Sequence, residues 1–122
     1  MILVDTSVWI DHLRSGDEAL KTLLNAGEIL CHPWVIGELA LGRLAKREAI
    51  LSALRGLPRA TVATDHEVLE LINRHGLGGV GVGYVDVHLL AATRLSAPAT
   101  LWTRDRRLLA VAQDLELAAR IA

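Results

Sequence analysis

The sequence predicts an α/β fold, a three-layer α/β/α sandwich around a central, mostly parallel sheet of four to five strands. Two observations point there. Short apolar runs alternate with segments of helical spacing from end to end. The first of these runs, Met1–Val4, is continuously apolar, as a buried central strand is. A length of 122 residues sets the scale: one domain spanning 1–122, with a real core.

Met1–Val4 leads straight into Asp5, which would stand at the carboxyl end of the strand, where open α/β sheets build their sites. Thr6 and Ser7 suit the opening of a short helix over 7–13, and Gly16 breaks it. Leu20, Leu23 and Leu24 give Asp17–Ala26 a helical stripe, closed by Gly27. Glu28–Cys31 reads as a second strand. Pro33 fits the first turn of a helix running to about Leu44, and Lys46–Arg55 forms another before Gly56 and Pro58. Ala60–Ala63 reads as a third strand, followed by a helix capped by Thr64 or Asp65 and ending near His75. Five glycines in Gly76–Gly83 make a loop. Tyr84–Leu95 is a strongly apolar helix, Ala99–Thr103 a fourth strand and Arg104–Asp114 a last helix, with a short fifth strand near Glu116–Ala118. No repeat or low-complexity tract interrupts this order.

Composition narrows the class. Residues of the apolar set make up 52% of the chain; counting glycine instead of tyrosine raises this to roughly 60%, against about 45–50% in an average soluble domain. A small domain this apolar is expected to hide surface against a copy of itself or another protein. No run approaches the ~18 apolar residues of a membrane span, and nothing resembles an export signal, so the expected location is cytoplasmic. Cys31, the only cysteine, excludes an internal disulfide and a cysteine-based zinc site. A net charge of −1 gives no bulk attraction for nucleic acid, although a local basic patch remains compatible with it.

Most of the 14 acidic residues lie in mixed, solvated segments. Four do not. Asp5 ends MILV, Glu38 sits in PWVIGELALG, Asp86 in GYVDVHLLAA, and Asp105 follows LWTR. A carboxylate on an apolar helix face costs several kcal/mol unless neutralised, so Glu38 and Asp86 are the informative pair. Each pair of such charges about 4 Å apart costs on the order of 4 kcal/mol at an effective dielectric of 20. A converging set therefore takes up protons or binds a cation, and oxygen-only ligands select Mg²⁺ or Mn²⁺ over zinc. The chemistry that follows is phosphodiester hydrolysis by metal-activated water.

DTSVWIDHLR at 5–14, HPWVIGELALG at 32–42, GVGYVDVHLLAA at 81–92 and LWTRDRRL at 101–108 together resemble the PIN-domain ribonucleases, and among them the VapC-type toxins. The resemblance covers essentially the whole chain. It implies a Mg²⁺- or Mn²⁺-dependent endoribonuclease toxin, homodimeric, cutting RNA and silenced by a cognate VapB-type antitoxin. It maps the family's acids onto Asp5, Glu38, Asp86 and Asp105, and its hydroxyl residues onto Ser7 and Thr103. The alternatives are a PIN nuclease of RNA processing or structured DNA, and a PIN-fold module that binds without cutting.

Other signals are weaker. Arg43, Arg104 and Arg106 flank the acids and could contact an RNA backbone; solvated helix ends explain them equally. Trp9, Trp34 and Trp102 lie in apolar runs and read as core or interface. The five histidines show no ligand spacing and read as caps or surface residues. GLGGVG at 76–81 matches a dinucleotide fingerprint but follows a helix, so it is read as a loop.

Overall fold

The computed structural model describes residues 1–121. Its sheet is built from β1 (Ile2–Val4), β2 (Ile29–Leu30) and β3 (Thr100–Trp102), all parallel, in the order β2-β1-β3. Ile2 pairs with Ile29 on one side and Thr100 on the other, which centres β1. The helices are α1 (Thr6–Ser15), α2 (Glu18–Asn25), α3 (Pro33–Leu41), α4 (Arg47–Arg55), α5 (Asp65–His75), α6 (Tyr84–Leu95) and α7 (Arg106–Asp114).

No strand forms over the expected Ala60–Ala63, the chain instead making a single parallel bridge from Arg59 to Cys31, and the expected fifth strand is reduced to the bridge Leu101–Ala118. Cys31 N–H donates to Pro58 O and Ala60 N–H to Cys31 O; Leu101 N–H donates to Leu117 O and Ala119 N–H to Leu101 O. The sheet is thus flanked on both edges by chain that pairs once and leaves. Pro58 lacks an N–H to lengthen the first ladder. The expected helix to Leu44 ends at Leu41, where Gly42 leaves helical geometry.

α1 packs on α3 and α3 on α4, while α6 packs on α5 and β3. Leu3, Val4, Leu89, Leu90 and Leu101 are completely buried between these groups, and Cys31 is buried with them. α6 is buried continuously from Val87 to Thr93, which explains its all-round apolar sequence.

Parallel strands end at one edge of the sheet. β1 therefore delivers Asp5, and β3 delivers Thr103 and Asp105, to the same edge, from which α1 and α7 start. No helix among the described residues is long and apolar enough to cross a membrane.

Candidate active site

Asp5 is the N-cap of α1 and is almost fully buried, at 5% exposure. Asp5 thus acts as a helix cap from a buried position at the strand end. The helix-opening role expected of Thr6 and Ser7 belongs to Asp5 instead, and both hydroxyls turn to carboxylates. Ser7 Oγ donates to Asp5 Oδ2 at 2.6 Å, and the buried Thr103 Oγ1 donates to the same oxygen at 2.8 Å. Ser7 Oγ in turn accepts from Arg104 N–H at 3.0 Å, and Thr103 Oγ1 accepts from Asp105 N–H at 3.1 Å. A continuous network fixes Asp5 from the strand end on the far side of β1–β3.

Glu38 is exposed on α3, and its Oε1 accepts from Thr6 Oγ1 at 2.8 Å. Sequence reasoning missed Thr6 in this role, because a hydroxyl beside a helix start reads first as a cap. Asp86 lies half-buried in the first turn of α6, where its Oδ2 accepts from Gly83 N–H at 3.0 Å. This bond also helps to cap α6. Asp105 caps α7 through Leu108 N–H at 2.9 Å.

Each of the four carboxylates thus spends one oxygen on a local donor, and its second oxygen accepts from no described residue. None lies within ion-pair distance of a basic side chain among the described residues. Burial raises the Asp86 carboxyl above the usual range, opposed by the Gly83 N–H and reinforced by the charges of Asp5, Asp105 and Glu38. The four acids share one electrostatic neighbourhood. Among the described residues, no three Asp, Glu, His or Cys groups are arranged as they stand to enclose an ion. Mg²⁺, which keeps several waters and uses one or two carboxylates with substrate phosphate, fits such a donor set.

Arg104, exposed at the β3–α7 turn, is engaged in ion pairs. Its guanidinium binds Asp11 at 2.7 Å and the α2 cap Asp17, and lies over the Trp102 ring. It clamps the β3–α7 turn to α1 and α2, behind Ser7. Arg106 is exposed at the start of α7, and Arg43 lines a groove beside Glu38.

Trp9 and Trp102 are buried as expected, but Trp34 is only half-buried. Of the histidines, His32 is a cap as expected, while His88 departs from expectation. His32 caps α3, accepting Trp34 N–H on Nδ1, yet is completely buried; His88 is 2% exposed, so neither is a surface residue. Both sit where short polar residues usually cap or where apolar ones pack, so nothing in the sequence marks them as buried.

This α/β fold with a parallel sheet agrees with comparison to known proteins. The chain belongs to the PIN domain family, whose model matches residues 2–114. Two proteins of Mycobacterium tuberculosis, each named Ribonuclease VapC32 and from strains CDC 1551 / Oshkosh and ATCC 25618 / H37Rv, are similar to it. Each is 50% identical over 114 residues, which span 93% of this chain and 92% of the relative.

Proposed function

We propose that this chain is a cytoplasmic endoribonuclease toxin of a toxin–antitoxin pair, hydrolysing RNA phosphodiester bonds as a single catalytic domain. The carrying observation is the set of four carboxylates in one neighbourhood with no basic partner, in a chain half identical to a ribonuclease. Asp5, Glu38, Asp86 and Asp105 would hold Mg²⁺ or Mn²⁺ through their uncommitted oxygens. The ion, when bound, lowers the pKa of water and neutralises phosphate charge. Ser7 and Thr103 both donate to Oδ2 of Asp5, which leaves Oδ1 for the ion and fixes the carboxylate plane. Arg43 and Arg106 attract the polyanionic strand.

The antitoxin reading is supported by a groove of about 500 Å³ between α1, α3 and α4. Ile10, Leu13 and Leu44 give it an apolar wall, while Glu38 places the acidic site at its margin. A homodimer is supported by Leu69 and Leu95, exposed on α5 and α6 on either side of the Glu70–Arg74 pair.

The test is cleavage of single-stranded RNA with Mg²⁺ by the wild-type chain and by Asp5→Asn. Asparagine keeps the size and the hydrogen-bonding oxygen but removes the charge. Cleavage should fall at least about 100-fold, and chelation should abolish it in the wild type. Cleavage indifferent to both would overturn the reading.

A further inference from the structure

α3 and α6 each bring an acid to the site, and each also brings an aromatic ring. Trp34 lies one helical turn before Glu38 on the same face of α3. Tyr84 opens α6 two residues before Asp86. The two rings meet across the helices, with centroids 6.1 Å apart at 56°. Tyr84 is 43% exposed and Trp34 half-buried, so both keep ring surface for a ligand.

The pair is braced from within. The buried His88 ring stacks on Trp34 at 4.0 Å and 31°, and meets Tyr84 edge-on at 4.8 Å and 87°. Its two ring nitrogens make no hydrogen bond among the described residues, and Nε2 lies 3.5 Å from Asp65 Oδ1, the oxygen that also holds Tyr84. Tyr84 Oη donates to Asp65 Oδ1 at 3.0 Å, which ties the phenol ring to α5. Two braced aromatic rings on the helices that carry Glu38 and Asp86 do not follow from hydrolysis, which needs only the acids. Nor do they serve the core, because a core use would cover Tyr84.

We propose that Trp34 and Tyr84 form a stacking platform for an unpaired nucleobase next to the scissile phosphate. The inference rests on the ribonuclease reading of the site and adds a base-stacking subsite to it. In a duplex the bases are already stacked on one another, and the platform has nothing to receive. Every base has a π-face, so the platform tolerates sequence and favours the larger purines.

The probe is a single-stranded 12-mer of oligoadenylate, titrated against the full chain carrying Asp5→Asn, in Mg²⁺. Trp9 and Trp102 are buried, so quenching of tryptophan emission reports on Trp34. Tyr84→Leu, at an exposed position, should weaken binding roughly 5- to 150-fold, the range of one lost base stack. Tyr84→Phe, which keeps the ring and loses only the bond to Asp65, should restore it to within about 2-fold. An abasic 12-mer should bind weakly to every variant and show no further loss with Tyr84→Leu. Equal binding by the Tyr84→Leu chain, equal binding of the abasic strand, or no binding of oligoadenylate would each overturn the platform. Loss of cleavage in the Asp5→Asn test is read separately, so the ribonuclease reading and the platform fail on different measurements.

Discussion

At the scale of single residues, the site shows how much a neighbour changes what a side chain means. Ser7 and Thr103 are ordinary hydroxyls until both donate to one oxygen of a buried Asp5. His32 carries the clearest consequence outside the site. Burial pushes its imidazole down to about 4, with the charges of His88 and Arg59 adding to the effect. Its neutral ring accepts Trp34 N–H through Nδ1, so protonation removes the α3 cap as well. The folded pKa lies below the unfolded value, so the unfolded chain binds more protons between the two. Stability from this residue is therefore fully present above about pH 6.5 and lost as pH falls towards about 4, by on the order of 3 kcal/mol. Urea unfolding at pH 7 and pH 4.5 should show that difference, and His32→Asn, which can still cap α3, should flatten it.

At the scale of elements, the segment before α6 decides where Asp86 stands. Gly81 has φ +90°, and a Cβ there would lie 2.8 Å from Arg107 Cδ. The Arg107 side chain can swing aside, but the backbone conformation cannot be relieved in the same way. Gly81→Ala should lower unfolding stability by about 1–2 kcal/mol. The check is a lower urea midpoint at unchanged m-value. The glycine-rich loop was legible in the sequence, as were the start of α5 at Thr64, the end of α5 at Gly76 and nearly all helix identities. Proline, glycine and capping residues act within a few positions, so their signal is local. That the chain pairs only once at each edge of the sheet was not legible. Ala60–Ala63 and Glu116–Ala118 have strand-like composition, but pairing beyond one bridge depends on partners supplied by distant chain.

At the scale of the whole molecule, the short central sheet carries both core and site. Leu101 is completely buried, faces Leu3 in the register and bridges towards Ala118. Leu101→Ala should cost about 2–5 kcal/mol through the cavity it leaves. That is a large share of the 5–15 kcal/mol available to a typical domain. Thermal unfolding should reveal a large drop in midpoint. The Arg104 clamp on Asp11 and Asp17 works at the same scale, because it ties the turn holding Thr103 to two helices from the other end of the chain.

Periodicity, punctuation and four acids in apolar surroundings were enough to determine the α/β class and to single out Asp5, Glu38, Asp86 and Asp105. Those features depend on the chemistry of a residue and its near neighbours, which a linear string records. Which hydroxyl serves which carboxylate, the withdrawal of Arg104 into ion pairs, the burial of His32 and His88, and the meeting of Trp34 with Tyr84 were decided only by tertiary structure. Each joins side chains from separate elements, and their distance apart is set by packing around the sheet.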